Sequence, residues 1–542
     1  MTQPGGATPA ARLTPTERWT MFAAVLGSAV VFLDGTIVNV ALPVIGRELP
    51  ASLVSVLEGQ TYVASGYLAT LAALLVLAGA LGDYCGRRRI FLLGLLGFGA
   101  TSVLCGLAPN LELLAAFRVL QGATGALLVP GSLSIITATF DGVARGRAFG
   151  IWAAATSATM ILGPIVGGIL IEAISWRMAF LVNIPLMLAA IWATRAHMRE
   201  SRDEAASGRF DWLGAIVAVV AVGGLAFGAI RGQDRQWTDP VAWVALGVGT
   251  VALVAFPLLM ARRANPLVPL NLFRVRAFAA INLSTLLIYG ALYVMLTFQA
   301  LFLQGTLGYS VIAAGIVGLP VGIMLTLFST RIGSIAARRG ARPFLVAGPL
   351  IMAAGVAWFA RIPATSEAWV LGFDGGGSLI PPTGFLVDVL PSILLFGVGI
   401  SFVVAPLTST LMSSIPVRNA GLASAINNAL SRVGQPLLSA LIFIVVTASF
   451  YASVAGQIAG FDPASAVDRR LVQPLNQPTA GLDPALVAAA QVASTDAFHV
   501  AALVCAGFLI AGAMVNYIGL RERAVGIPAA EAAKSSFPEG IG

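Results

Sequence analysis

Long apolar runs of about twenty residues, separated by short polar stretches, recur from Trp19 almost to the end of the chain. Twenty residues of helix at 1.5 Å each cover ~30 Å, the thickness of bilayer hydrocarbon. The pattern predicts fourteen membrane-spanning helices, near 20–43, 57–79, 89–108, 111–137, 146–171, 177–195, 211–230, 241–261, 277–303, 312–331, 343–360, 385–411, 418–450 and 496–518. The stretch 451–495 then reads as a long loop with two helix starts, Asp462-Pro463 and Asp483-Pro484, each pairing an N-cap aspartate with proline at the first helical position. The longer connections are 361–384, with Gly375-Gly376-Gly377, and this loop.

Composition agrees. Of 542 residues, 58% are hydrophobic and 10% charged, against about 25% charged in a soluble protein. The fold class is an all-α polytopic membrane protein. The net charge of +8 reflects arginines gathered in alternate connections, such as Arg87-Arg88-Arg89 and Arg338-Arg339. The positive-inside rule places those connections, and both termini, on the cytoplasmic side. The polar start, Met1 to Arg18, has no signal-peptide core, so the first span reads as an uncleaved anchor. Cys85, Cys105 and Cys505 lack metal or redox spacing, and neither a cofactor nor a metal is expected. Walker-type Gly-x-x-x-x-Gly-Lys and His-Glu-x-x-His strings are absent from the sequence, which argues against a membrane-embedded enzyme.

Three charges stand inside apolar runs: Asp34 in span one, Arg118 in span four and Arg432 in span thirteen. By the helical rise, Asp34 and Arg432 lie ~21 Å from the cytoplasmic end and Arg118 ~10 Å from the other end. All three then share one depth. Charges there are costly and mark transport or proton-relay sites more often than not. They form the candidate proton-coupling group. Gln121, one turn from Arg118, together with Tyr289, Tyr293, Gln299, Asn427 and Asn428, are the candidate cavity residues, because amides and phenols suit amphipathic ligands and sit poorly in lipid. One acid against two arginines predicts that neutral, zwitterionic or anionic amphiphiles are better cargo than dications.

A short repeat supplies the organisation. Gly79-x-x-x-Asp83-x-x-Gly86-Arg87-Arg88-Arg89 follows span two, and Gly333-x-x-x-Ala337-x-x-Gly340-Ala341-Arg342 follows span ten. Setting spans seven and eight aside as an insertion, each unit follows the second span of a six-span block. The expected layout is a cytoplasmic tail (1–19), a six-helix bundle (20–195), a linker with two additional helices (196–265), a second bundle (266–520) and a cytoplasmic tail (521–542).

These strings carry a resemblance. The Leu33–Pro43 stretch around Asp34, the Gly79–Arg89 loop, Arg118-Val119-Leu120-Gln121-Gly122, Gly163-Pro164-x-x-Gly167-Gly168, Trp176-Arg177-x-x-Phe180-x-x-Asn183-x-Pro185, and Asn427-Asn428 with Arg432 and Gly434 resemble the motifs of the major facilitator superfamily, specifically its fourteen-span drug:proton antiporters. Tyr62 stands where that group usually has Trp, and Ala337 where the second loop would carry an acid. The resemblance implies two six-helix bundles plus two inserted helices, proton-coupled export of hydrophobic or amphipathic small molecules by alternating access, and a gating role for Gly79, Asp83, Gly86, Arg87, Gly163, Pro164 and Gly168. It also implies a monomer in a bacterial cytoplasmic membrane, with protons, lipid and a small amphipathic substrate as partners and no nucleic acid. Export of a native metabolite or lipid, with drug efflux incidental, is the alternative, favoured weakly by the long 451–495 loop.

Overall fold

The computed structural model describes residues 14–140, 142–202, 211–371, 379–415, 420–479 and 481–520. The first thirteen and last twenty-two residues, the Gly375–Gly377 stretch and the side chain of Asp83 lie outside the described residues. In chain order the helices are α1 Pro15–Glu48, α2 Val56–Cys85, α3 Arg87–Gly106, α4 Leu111–Gly125, α5 Leu128–Thr139, α6 Gly142–Ala173, α7 Met178–Leu181, α8 Asn183–His197, α9 Trp212–Asp234, α10 Pro240–Arg262, α11 Arg276–Leu301, α12 Val311–Val317, α13 Leu319–Arg339, α14 Arg342–Trp358, α15 Leu390–Ser413, α16 Ala420–Gln457, α17 Ala466–Leu471 and α18 Pro484–Gly519. Three passes are broken helices, formed by α4 with α5, α7 with α8, and α12 with α13, while α17 is a single surface turn. Twelve passes among the described residues are long and apolar enough to cross a membrane. The full-length helices α2 and α6 bring the count to the expected fourteen.

Prolines explain the broken passes. Pro130, Pro185 and Pro320 each follow a break by two to four residues. Proline cannot donate to the carbonyl four residues back, and its ring crowds that carbonyl. Pro43, Pro164 and Pro436 sit inside unbroken helices, where neighbouring helices brace the freed backbone.

The ends of several helices differ from the sequence reading. The last pass begins at Pro484, twelve residues before the expected position, with Asp483 accepting from the Ala485 N–H at 3.0 Å. Asp462-Pro463 starts no helix. Ser465 caps the next turn instead, accepting from Asp468 N–H at 3.3 Å. The expected 45-residue loop therefore contracts to the segment between Gln457 and Pro484.

The two loops of the repeat have the same local shape. Gly86 ends α2 at φ 107° and Gly340 ends α13 at φ 91°, a backbone region costly for any residue with a Cβ. The conserved spacing thus encodes a tight reversal between two long helices.

In the first half of the chain α1 packs mainly on α6 and α8, and α2 on α4. In the second, α11 packs on α16 and α18, and α14 on α15 and α18. The α9–α10 hairpin packs through α9 against α2 and α16, at the seam between these groups. Its two helices approach closely because Gly224 and Gly228 form a small-residue stripe. A Cβ added at Gly228 would stand 2.8 Å from the Ala242 carbonyl oxygen. The outward faces of α10, including Trp243, Val244, Val251 and Val254, are exposed, as expected of a helix that meets lipid. Asp239 caps this helix. The Val241 N–H, aided by Arg231 at 2.8 Å, holds its carboxyl below the usual range.

Candidate functional site

Asp34 lies midway along α1 and is completely buried. Its carboxylate is fully engaged. Oδ2 pairs with Arg118 Nη1 of α4, and Oδ1 accepts from Gln121 Nε2 at 3.0 Å and from Asn183 Nδ2, at the start of α8, at 3.1 Å. A second layer holds these donors. Ser102 Oγ of α3 accepts from Gln121 Nε2 at 2.8 Å and from Asn183 Nδ2 at 3.3 Å, and Gln121 Oε1 accepts from Arg118 Nη1 at 2.6 Å. Arg118 Nε donates to the Val63 carbonyl at 3.1 Å, and its guanidinium lies 4.0 Å from the centre of the Tyr67 ring. Buried charge survives only when paired and hydrogen-bonded, and this pair has both.

The helices are shaped to allow it. Gly122, one residue beyond Gln121, faces the Tyr67 backbone and Thr70, so α4 lies directly on α2. Gly163 and Gly167 of α6 leave room for Thr36 and Ile37 of α1. Gly163, one of the glycines expected to gate, thus has a packing role near the Asp34 turn, with Gly167 beside it.

Beside the pair is a central cavity of about 40 Å³, lined among others by Asn39 of α1, Tyr67 of α2, Arg118 of α4, Tyr293 and Thr297 of α11, and Arg432 of α16. Arg432 faces this cavity and makes no ion pair with Asp34 among the described residues; its guanidinium lies 5.3 Å from the Phe32 ring centre. The equal depth of the three charges is thus shared with a different grouping: two make a closed pair and the third stands across the cavity.

The other candidates scatter. Tyr293 lines the cavity, with Tyr289 one turn away at 6.4 Å between rings. Gln121 belongs to the carboxylate network. Asn427 donates to Asn282 Oδ1 at 3.2 Å and Thr285 Oγ1 at 2.9 Å, tying α16 to α11. Asn428 bonds to the Ser424 carbonyl of its own helix at 3.0 Å. Gln299 is half-buried and outside the cavity lining. At the loop after α2, the arginines meet Glu200 beyond α8. Its carboxylate accepts from the Arg88 N–H at 3.0 Å and lies 3.8 Å from Arg89, while the Arg87 N–H donates to the Ser201 carbonyl at 2.8 Å. Gly86 leaves the space that Glu200 fills. This clasp closes within the first half of the chain.

Sequence reading missed Ser102, Tyr67 and Glu200. Asn183 was visible as part of a motif, but nothing in the string tied it to Asp34.

The two halves meet where α2 packs on α16, and hydrogen bonds join them at the end opposite the start of α1. There Thr297 Oγ1 donates to Asn39 Oδ1 at 3.0 Å, Gln304 Nε2 to the Val40 carbonyl at 3.1 Å, and the Ile312 N–H to Glu172 at 3.2 Å. The segment before α18 adds Asn476, which exchanges bonds of 3.0 and 3.1 Å with Gln60, and Gln477, which accepts from Arg47 at 2.9 Å. Backbone contact reinforces the seal: Gly168 of α6 lies against Val311 and Ile312, and Gly315 against the Pro164 carbonyl.

A bundle of membrane-length helices around a small cavity bordered by two arginines is the anatomy of a transporter. The chain belongs to the Major Facilitator Superfamily, whose family model matches residues 24–439. It is 32% identical over 434 residues to the Multidrug resistance protein Stp of Mycobacterium tuberculosis, a match covering 80% of this chain and 76% of that protein. The Tetracenomycin C resistance and export protein of Streptomyces glaucescens is 32% identical over 439 residues, covering 81% and 78%. Among solved structures, that of the POT family transporter PepTSo superposes with a TM-score of 0.62 at 14% identity, covering 97% of this chain and 99% of that one, which supports the fold.

Proposed function

We propose that this chain exports hydrophobic or amphipathic small molecules in exchange for protons, by alternating access, with Asp34 as the proton carrier and Arg118 as its counter-charge. The observation that carries the reading is a wholly buried carboxylate bonded to a buried arginine that itself lines the central cavity. Protonation of Asp34 removes the charge that holds Arg118, and so changes the cavity wall that cargo touches. That is the coupling an exchanger requires: one site whose state both ligands sense.

Two relatives named for drug resistance, one of them also for export, support small-molecule efflux as the task. The arginine-rich connections fall on the face where α1 begins, which supports placing that face, and both termini, in the cytoplasm. On that assignment the sealed end is the outer one, and the structure is the form closed to the outside. The segment 473–477, lending Gln473, Asn476 and Gln477 to that seal, acts as a closure strap, and its length is accounted for without a lipid cargo.

The test uses inverted membrane vesicles loaded with this protein and a labelled amphiphilic drug. Uptake driven by a proton gradient, abolished by a protonophore and lost in Asp34→Asn while drug binding persists, is the expected result. Full proton-driven uptake by Asp34→Asn refutes the coupling role.

A further inference from the structure

The cavity contains a charge that the Asp34 network does not use. Arg432 is 5% exposed, has neither a hydrogen bond nor an ion pair among the described residues, and its Nε is buried without a partner. Burying a guanidinium without a counter-charge is expensive, so the site is unfinished as it stands. One turn further along α16, Gln435 is 1% exposed, lines the same cavity, and leaves its Oε1 unpartnered. Ser439, on the same stripe, is also 1% exposed and leaves its Oγ unpartnered. Three buried polar side chains at i, i+3 and i+7 share one face with nothing to bond to.

The electrostatic account points one way. Among the described residues no carboxylate lines the cavity. The charge of Arg118 is matched by Asp34, whereas that of Arg432 faces only the Phe32 ring, at 5.3 Å, and no opposite charge among the described residues. Room for an occupant exists but is small: about 40 Å³, which suits a polar head group in this closed form, with the rest of a larger molecule admitted as the halves part.

We propose that Arg432, with the Gln435 amide beside it, docks an acidic group of the cargo, a carboxylate or similar anion carried on an apolar body. The planar guanidinium offers parallel donors to two oxygens, the Gln435 Oε1 can accept from a hydroxyl or amide N–H of the cargo, and the rings of Phe32 and Tyr293 border the space for the apolar part. This deepens the export reading and rests on the cavity being the cargo site. A rival role, in which Arg432 is the partner Asp34 takes on leaving Arg118, would make it necessary for every cargo alike.

The experiment measures binding of 1-naphthoate and 1-naphthamide, which share a ring system and differ in charge, to the purified full chain in lipid nanodiscs. The wild type is expected to bind naphthoate ~10-fold or more tightly than naphthamide, the effect of one charge-assisted contact. Arg432→Gln is expected to lose that preference while binding naphthamide within about two-fold of wild type, and to unfold at a higher temperature without ligand, because an unpaired buried charge has been removed. Arg432→Lys, which keeps charge without the fork, should retain part of the preference. The proposal is overturned by a wild type that binds the two probes equally or binds neither, by Arg432→Gln that keeps the preference, or by loss of both probes together. Should proton-driven export fail in vesicles, the charge preference on purified protein would still stand or fall by itself.

Discussion

At the scale of single residues, the Asp34–Arg118 pair and Arg432 are opposite cases of one rule. Removing one member of a buried, hydrogen-bonded pair costs about 3–5 kcal/mol, because the remaining charge is stranded. Arg118→Ala should therefore lower the thermal unfolding temperature of the purified protein sharply, whereas the double variant Arg118→Ala with Asp34→Ala recovers much of that loss. Equal destabilisation in the single and double variants would show that the pair is not the energetic unit that its geometry implies. Asn183 donates to Asp34 directly, whereas Ser102 acts at one remove. It holds two donors in place, and Ser102→Ala should cost about 1 kcal/mol while leaving the protein folded, a change visible as a modest shift in the same melting experiment. Asp34 and Arg118 could be read from the string because charge in an apolar run stands out. Ser102 and Tyr67 could not, since one hydroxyl or one phenol in a hydrophobic helix carries no periodic signal, and its partners depend on which helices become neighbours.

At the scale of elements, apolar run length located the passes well, and errors fell where hydropathy and helicity part company. The first turns of α18 are rich in alanine with Gln491, Ser494 and Thr495, so they are helical without reading as lipid-soluble. Asp462-Pro463 has the letters of a helix start but no apolar face downstream for a helix to bury. The breaks before Pro130, Pro185 and Pro320 follow from proline chemistry, yet Pro43 and Pro164 leave their helices continuous. Only packing decides between these outcomes. Glycines resolve in the same way. Gly224 and Gly228 fasten the α9–α10 hairpin, and Gly168 lets α6 touch α12 across the seam between the halves, where an added Cβ would stand 3.0 Å from Ile312 Cα and Val311 O. On the proposed orientation Gly168→Leu should therefore hold the outer end apart. A cysteine at Thr297 in that background, with the native cysteines replaced by serine, should react with a membrane-impermeant thiol reagent at the outer face several-fold faster than in the parent. Unchanged reactivity would mean that α6 and α12 are not part of the closing surface.

For the whole molecule, the question is how firmly the end opposite the start of α1, the outer one on the proposed orientation, is held. Its bonds, among them Asn39–Thr297, Val40–Gln304, Gln60–Asn476, Arg47–Gln477 and Glu172–Ile312, are interhelical contacts of a kind worth about 0.6 kcal/mol each in a membrane. Together they supply roughly 4 kcal/mol, a bias of several hundred to one. Moving a two-state equilibrium from 1:99 to 99:1 takes ~5.5 kcal/mol of differential binding, so the seal lies within reach of a proton or a well-fitted cargo. A seal of this size should be decisive when made permanent. In a background with Cys85, Cys105 and Cys505 replaced by serine, Asn39→Cys with Thr297→Cys should be bridged by a short bifunctional thiol reagent. The bridged protein should bind the transported drug from the cytoplasmic side yet release none outside, and cleavage of a reducible linker should restore export. Each single cysteine, treated alike, should still release drug outside, because its two halves can part. Export at the full rate by the bridged protein would mean that this end does not have to open, and the exchange cycle built on it would fail.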